Sequence, residues 1–93
     1  MKVMLQPKLV EIKAISDYKL LLFYETNESK LFDVKPYISG SWYNELLSQE
    51  YFNTVHIINN GNGIEWANGQ DIAPHELYEH STPTSLKYDD INN

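Results

Sequence analysis

The fold is decided by the stretch Gly63-Ile-Glu-Trp-Ala-Asn-Gly-Gln-Asp-Ile-Ala-Pro-His-Glu-Leu-Tyr78. Ile64 and Trp66 are two residues apart, so they share one face of a predicted strand. Asn68-Gly69 is a dipeptide that tolerates positive φ, and it therefore predicts a turn. Pro74 suits the first position of a helix, because the N–H that proline lacks would have no partner there. The stretch predicts a strand, a turn and a helix in succession.

Asp71 lies just before this helix and has two interpretations. Because Ala73 has no side-chain acceptor, the Asp71 carboxylate is predicted to accept hydrogen bonds from the first N–H groups of the helix, with Glu76 reinforcing it. The alternative pairs Asp71 with Glu65 or Asp33 for acid–base or Mg²⁺ chemistry. The sequence supplies no nucleophile, phosphate-binding loop or water-ordering partner for that chemistry, so we favour capping.

The segment His75-Glu-Leu-Tyr-Glu-His80 resembles a metalloprotease helix, but its spacing differs. Histidines five residues apart point about 140° apart around a helix, whereas the zinc motif has them four apart on one side. Glu76 and His80 are four apart and are predicted to form an ion pair. His56 lies on a predicted strand and is interpreted as a surface or hydrogen-bonded residue. We predict no metal and no cofactor.

The pattern W-x-N-G-x-D-I-x-P-x-x-L-Y resembles a family signature. Its residues here are Trp66, Asn68, Gly69, Asp71, Ile72, Pro74, Leu77 and Tyr78. The pattern is similar to that of the small bacterial proteins of domain-of-unknown-function family 2442. Residues 7–15 with 18–23, and residues 31–38 with their F-D-V-x-P-Y pattern, also agree with that family.

This resemblance implies an α+β fold, usually as a stand-alone chain and sometimes fused to a helix-turn-helix domain. It also implies a gene arrangement that in some members looks like a toxin and antitoxin pair. The family brings no catalytic residue, so none is assigned to this chain.

Length and composition bound the class of protein. The chain has 93 residues, of which 42% are hydrophobic and 22% charged, values typical of one soluble globular domain. No apolar run approaches the roughly 18 residues of a membrane helix, and the N-terminus lacks the apolar core of a secretion signal, so we expect a cytoplasmic protein. Residues 1–80 are predicted to form a single domain. Residues 81–93 are predicted to be a polar tail, in which Leu86, Tyr88 and Ile91 are the candidates for docking.

The charge balance restricts the partners. The formal net charge is −6, and all seven cationic residues are lysines. Arginine is the usual fork for phosphate and guanine, so its absence from an acidic chain argues against nucleic-acid binding. A basic partner protein fits the charge better. The absence of cysteine excludes disulfides and thiolate chemistry.

Three strands are predicted in the first third of the chain. Residues 8–15 alternate, with Val10, Ile12 and Ala14 on one face. Residues 18–24 are apolar on both faces, which predicts a central strand covered by a helix on one side and a second subunit on the other. Residues 30–35 predict a third strand with Phe32 and Val34 on one face. The three strands form a predicted meander, with Asn27 in the second turn.

A helical excursion and a hairpin follow. Ser41 is the predicted N-cap of a short helix, and Ser48 caps a further helical turn that carries Tyr51 and Phe52. An apolar stripe is predicted to face the core, formed by Trp42, Tyr43, Leu46 and Leu47. Residues 54–59 predict a fourth strand, and the Asn-Gly-Asn-Gly run at 60–63 predicts the hairpin that joins it to a fifth at 64–67.

These elements predict an α+β fold: a mainly antiparallel sheet of about five strands with short helices packed on one face. Three functional hypotheses remain open. The first is a non-enzymatic protein-binding or regulatory module, in which the signature residues form a structural or interaction motif. The second is a small-ligand-binding protein or enzyme with a pocket near Trp66, Asp71 and Tyr78. The third is a structural homodimer.

Overall fold

The computed structural model describes residues 6–86, which form two antiparallel sheets joined by a helical segment. The strands are β1 (Leu9–Ile15), β2 (Lys19–Tyr24), β3 (Ser29–Asp33), β4 (His56–Ile58), β5 (Gly63–Glu65), β6 (Asp71–Ile72) and β7 (Thr82–Pro83). The first sheet has the order β1-β2-β3-β7 and the second has the order β4-β5-β6. The predicted α+β class is confirmed, but the strands divide between two sheets where one sheet was expected.

The predicted meander is confirmed in the first sheet. β1 pairs with β2, and β2 pairs with β3, both in antiparallel register. Asp17 and Tyr18 have φ values of 62° and 59°, which gives the first turn the twist that matches the strands beside it. Asn27 has a φ of 73°, so the prediction of left-handed backbone in the second turn is also confirmed.

The central position of β2 is confirmed by its burial. Leu20, Leu21 and Leu22 are all fully buried. Because neighbouring residues of a strand point to opposite faces, both faces of β2 are covered. Leu21 is covered within a single chain, so the second subunit predicted to cover this face is not needed for its burial.

A β-bulge corrects the predicted inner face of β1. Leu9 pairs with Tyr24 and Glu11 pairs with Phe23, so Val10 is an extra residue between them. One extra residue reverses the alternation, and Val10 is therefore 54% exposed while Leu9 is 4% exposed. The prediction that Val10 faces the core is wrong, and Leu9 takes that place.

β7 closes the first sheet beyond β3. Lys30 pairs with Pro83 and Leu31 pairs with Thr82, and the Thr84 N–H donates to the Ser29 carbonyl at 2.9 Å. Thr82–Pro83 belongs to the segment that the sequence assigned to the tail. Leu86 is partly buried. Tyr88 and Ile91, the other docking candidates in the tail, lie outside the described residues.

The helical segment contains α1 (Gly40–Tyr43) and α2 (Gln49–Phe52), and α3 (Pro74–Glu79) follows β6. 3₁₀ turns span Lys35–Tyr37, Asn44–Leu47 and Asn59–Gly61. Across residues 6–86, none of the helices has the length and apolar character needed to cross a membrane.

The start of the helical segment differs from the prediction. α1 begins at Gly40 with Ser39 at the N-cap position, so Ser41 lies inside the helix and the prediction that it caps the helix is wrong. The prediction that Ser48 caps the next helical turn is confirmed, because the Ser48 hydroxyl accepts a hydrogen bond from the Tyr51 N–H at 3.3 Å.

The predicted apolar stripe on this segment is wrong for Trp42 and Leu47, while Leu46 and Tyr43 do pack in or against the core. α1 ends at Tyr43 and a 3₁₀ turn follows, so residues four apart no longer lie on one face. Leu46 is fully buried, whereas Trp42 and Leu47 are each 51% exposed. Trp42 therefore lies at the surface and not in the core.

One hydrophobic core joins both sheets and the helices. Its fully buried members from the first sheet include Leu20 and Leu22, those from the helical segment are Leu46 and Phe52, and Ile64 comes from the second sheet. The remaining core residues are Leu9, Tyr24, Phe32, Val34, Trp66, Ile72 and Leu77. The two sheets therefore fold as one unit, because neither buries its apolar face without the other.

Gly61, in the predicted hairpin between β4 and β5, fixes how the second sheet meets β1. It has a φ of 95°, and a Cβ placed there would lie 2.6 Å from the Leu9 carbonyl oxygen. Glycine is needed at position 61 because a side chain would be strained in this left-handed backbone and would clash with the Leu9 carbonyl. Gly40 has a φ of 80° but has no atom within 4 Å of such a Cβ.

We expect Gly61→Ala to destabilise the protein more than Gly40→Ala does. Both substitutions place alanine in left-handed backbone, which costs about 1 kcal/mol. Only Gly61→Ala adds a clash with the backbone of Leu9, so its free energy of unfolding should fall by more than about 1 kcal/mol beyond that of Gly40→Ala. Urea denaturation of the two variants measures the difference. Equal losses would show that the contact with β1 is not tight.

Candidate functional site

The signature stretch begins with a buried tryptophan. Trp66 is fully buried, and its indole N–H donates to the Phe52 carbonyl at 2.8 Å. Its ring packs against the Phe52 ring with 5.7 Å between centroids. This hydrogen bond ties the second sheet to the end of α2.

The turn after Trp66 is a three-residue hairpin. The Gly69 N–H donates to the Trp66 carbonyl, and the Trp66 N–H donates to the Gln70 carbonyl, both at 2.8 Å. Gly69 has a φ of 98°, so the prediction of positive φ at this dipeptide is confirmed. The turn leads directly into β6, and it presents the side chains of Asn68 and Gln70 to the helical segment.

Gln70 is the centre of a polar network that sequence reasoning missed. Its side chain is fully buried, and the amide nitrogen donates to the Trp42 carbonyl at 2.8 Å and to Glu45 at 2.7 Å. The amide oxygen accepts from the Tyr51 hydroxyl at 2.6 Å. A signal for this role exists, because Gln70 is two residues from Ile72 and so shares its inward face.

Glu45 extends the network to the surface. The Asn68 side-chain amide donates to both of its carboxylate oxygens, at 3.0 and 2.9 Å. The hydrogen bonds from Asn68 and Gln70 stabilise the charged form and lower the pKa of Glu45 below its ordinary value. The signature residue Asn68 thus holds the helical segment against the hairpin turn.

The second half of the signature builds α3. The helix begins at Pro74, as predicted, and Leu77 is 2% exposed in the core. The Tyr78 hydroxyl donates to Glu28 at 2.8 Å, which raises the pKa of Tyr78. Lys30 lies 3.9 Å from the centre of the Tyr78 ring and donates to the Tyr78 carbonyl at 2.7 Å. Tyr78 therefore fastens α3 to the first sheet.

Asp71 does not cap α3, so the prediction of capping is wrong. The N-cap residue is Ala73, and no side chain accepts a hydrogen bond at that position. Asp71 is instead exposed on β6, directly opposite Glu65 on β5. Strand pairing overrides the capping geometry, because residues of β6 are held in extended backbone and alternate in direction.

A cleft with a volume of about 430 Å³ lies beside Asp71. Its aromatic lining residues are Tyr37 and Tyr43, and its acidic lining residues are Asp71 and Glu76. Ser39, Ile72, Ala73 and His75 complete the lining. Of the three residues predicted to lie near a pocket, Trp66, Asp71 and Tyr78, only Asp71 lines this cleft.

Two hydrogen bonds shape this cleft. The Tyr37 hydroxyl donates to Glu76, and the carboxylate next to that proton raises the pKa of Tyr37 to about 12. The Tyr43 hydroxyl donates to the backbone carbonyl of Asp71 at 3.3 Å. The first bond joins the start of the helical segment to α3, and the second joins α1 to β6. The cleft is held open by both.

The histidines have separate partners. His80 and Glu76 form the predicted i, i+4 pair at 3.7 Å, so that prediction is confirmed. His56 is exposed and contacts Glu65 at 3.2 Å, in agreement with its interpretation as a hydrogen-bonded surface residue. Within residues 6–86, no group of three or more His, Asp or Glu side chains is arranged to hold a metal ion.

Asp71 is brought next to one of its two suggested partners. Glu65 is its direct neighbour across β5 and β6, but the Glu65 carboxylate contacts His56. The Asp33 carboxylate accepts from the Lys35 N–H at 3.1 Å, in the turn after β3. The Glu65 and Asp33 carboxylates therefore each have a hydrogen-bond partner other than Asp71.

Comparison with known proteins gives one family. The family described as "Protein of unknown function (DUF2442)" matches residues 9–83. No curated protein and no solved structure matches the chain. The family match confirms the resemblance drawn from the signature, and it covers the two sheets and α3.

We expect Ala73→Ser to stabilise the protein, because a serine oxygen at the N-cap can accept a hydrogen bond from the start of α3. The gain should be about 0.5 to 1 kcal/mol in the free energy of unfolding. Asp71→Ala should change it by less than about 0.5 kcal/mol, as for other exposed positions. Chemical denaturation of both variants provides the measurement. A loss of about 1 kcal/mol in Asp71→Ala would restore Asp71 as a cap, because alanine has no side-chain acceptor.

We expect Glu45→Gln to lower the melting temperature at pH 7 and to have a smaller effect in acid. The folded state lowers the pKa of Glu45 below the ordinary 4.5, so its contribution to stability is fully present above pH 4.5. That contribution is lost as the pH falls through the lower folded-state pKa. Thermal melts from pH 7 to pH 3 measure the convergence of variant and wild type. Glu11→Gln, at an exposed carboxylate on β1, is the control.

Proposed function

We propose that this chain, which belongs to the DUF2442 family of proteins of unknown function, is a non-enzymatic module that binds another protein. The observation that carries the proposal is the exposure of Trp42. The fold buries Trp66 completely, yet half of the Trp42 side chain remains in solvent. Tryptophan and tyrosine are enriched among the residues that dominate binding energy at protein interfaces.

The backbone of Trp42 is fixed although its side chain is exposed. The buried Gln70 amide donates to the Trp42 carbonyl, and the Trp42 ring lies against Gly69, 3.7 Å from where a Cβ would stand. The ring also makes an edge contact with Tyr43, with 5.6 Å between centroids. A side chain held in this way loses little conformational freedom when a partner covers it.

Trp42 is continuous with the cleft through its neighbour. Tyr43 contacts the Trp42 ring and also lines the cleft, so an aromatic surface leads from the exposed tryptophan into the concavity. We define the binding surface as Trp42, Tyr43 and the cleft. A protein partner fits this arrangement of an exposed aromatic anchor beside a polar recess.

The partner and location follow the expectations from the sequence. The formal net charge of −6 favours a basic partner, because opposite charge speeds encounter and selects among partners. We propose a bacterial cytoplasmic protein whose partner is a small protein encoded nearby, in the antidote-like or regulatory arrangement that the family resemblance implies.

A small ligand is the second candidate for the same cleft. Its volume of about 430 Å³ lies within the range of about 300–1,000 Å³ for ligand pockets. Ser39, His75 and Asp71 all line it, and these are the residue types of nucleophilic catalysis. Among the hydrogen bonds of residues 6–86, none joins these three side chains, whereas catalysis requires contact between nucleophile and base. We therefore favour binding over catalysis.

The test compares baits in a co-purification from the native host. Wild type, Trp42→Ala and Val10→Ala are immobilised after circular dichroism shows that each is folded. Val10 is the matched control, because it is an equally exposed apolar residue on β1. We expect a defined partner to be recovered with wild type and Val10→Ala and to fall at least about tenfold with Trp42→Ala, as for an interface hot spot.

Two outcomes contradict the proposal. A partner recovered equally by all three baits would show that binding does not use Trp42. Recovery of no protein, together with stabilisation of wild type by a small metabolite in a thermal-shift screen, would favour the second candidate.

A further inference from the structure

We propose that the cleft receives a lysine or arginine side chain from an extended segment of the partner, and that this segment pairs with the outer edge of β6. The inference rests on the proposed function and specifies the chemistry of the partner. It combines the backbone register of the second sheet with the charge of the cleft.

The register of β6 leaves backbone groups facing the cleft. Trp66 and Gln70 form the hydrogen-bonded pair that closes the hairpin turn. In an antiparallel ladder, hydrogen-bonded and non-hydrogen-bonded pairs alternate, so the next pair, Glu65 and Asp71, is non-hydrogen-bonded. The N–H and C=O of Asp71 therefore point away from β5.

The contact from Tyr43 confirms this direction. Its hydroxyl reaches the Asp71 carbonyl at 3.3 Å from the side opposite β5, a distance longer than usual for a hydroxyl donor. Because β6 is the last strand in the order β4-β5-β6, no strand of that sheet within residues 6–86 lies beyond it. An unpaired edge is a template for an incoming strand.

The charge of the cleft selects the side chain that such a strand carries. Asp71 and Glu76 are the acidic residues among those that line the cleft, and Tyr37 and Tyr43 supply aromatic surface beside them. Lysine and arginine combine a cation for the carboxylates with an apolar stem for the aromatic rings. Lys35, the cationic residue nearest in sequence to Tyr37, has its ammonium group 2.8 Å from Asp17 in the first turn.

A single anchored residue fits the dimensions of the site. β6 has two residues. After the single residue Ala73 comes Pro74, which lacks an N–H. Strand pairing is therefore short, and the side chain in the cleft must supply the specificity. An exposed Trp42 next to the cleft then covers the neighbouring part of the segment.

The experiment uses three synthetic peptides of extended-chain propensity, acetyl-Thr-Val-Xaa-Val-Thr-amide, in which Xaa is arginine, norleucine or glutamate. Binding to the full chain is followed by amide NMR shifts at a pH near 8. We expect the arginine peptide to bind at least about tenfold more tightly than the other two, because only it pairs with the carboxylates. The largest shifts should be at Ser39, Asp71 and Ala73.

Variants of the protein and of the peptide distinguish the contribution of charge from the contribution of strand pairing to binding. Asp71→Asn should weaken binding of the arginine peptide about fivefold, as expected for a partly enclosed ion pair. Glu79→Gln, on the same helix as Glu76 but outside the cleft, should leave the affinity for the arginine peptide unchanged. N-methylation of the two valines of the peptide removes strand donors and should weaken binding at least about tenfold.

The proposal is overturned if the norleucine peptide binds as well as the arginine peptide, if N-methylation has no effect, or if no peptide shifts the cleft residues at millimolar concentration. These failures remain distinct from failure of the proposed function. A partner whose recovery depends on Trp42 while the arginine peptide does not bind contradicts the cleft inference alone.

Discussion

The structure depends on how the buried amide of Gln70 is satisfied. A polar side chain that leaves water must have its hydrogen bonds replaced, or it costs stability. Gln70 meets this requirement with Trp42, Glu45 and Tyr51, all of which belong to the helical segment. The position of that segment is therefore fixed by hydrogen-bond geometry as well as by the burial of Leu46 and Phe52. Because α1 carries Tyr43 to the edge of β6, the same amide determines where the cleft forms.

The two tryptophans illustrate the division between core and surface. Both have a hydrogen bond that ties their part of the chain to another element: the indole of Trp66 donates to Phe52, and the carbonyl of Trp42 accepts from Gln70. Trp66 is anchored by its side chain and is buried. Trp42 is anchored by its backbone, and its side chain is 51% exposed at the surface. A binding role for Trp42 is consistent with this difference, since the fold buries Trp66 and leaves Trp42 exposed.

Local patterns predicted much of the fold but little of the candidate site. The meander, the left-handed Asn27, the Ser48 cap and the start of α3 at Pro74 were all predicted, because each depends on residues close together in the chain. The site was not predicted, because its parts come from two separate stretches of the chain, 37–43 and 71–76. Tyr37 and Tyr43 lie more than twenty residues before Asp71, and no periodicity relates them. Asp71 was expected at the helix N-terminus, whereas pairing with Glu65 turned it to the surface.

The sequence by itself determined the α+β class, the antiparallel hairpins and the order of the helices and the longer strands, but not the two-residue strands β6 and β7. The determined features follow from alternation, turn residues and helix-start residues, which act over a few positions. Only the tertiary structure decided that there are two sheets, that Val10 and Trp42 are exposed, and that Asp71 faces a cleft. A single extra residue in β1 and a change from α to 3₁₀ geometry after Tyr43 reverse which side chains face inward. Those reversals are set by contacts between distant segments, which no local pattern contains.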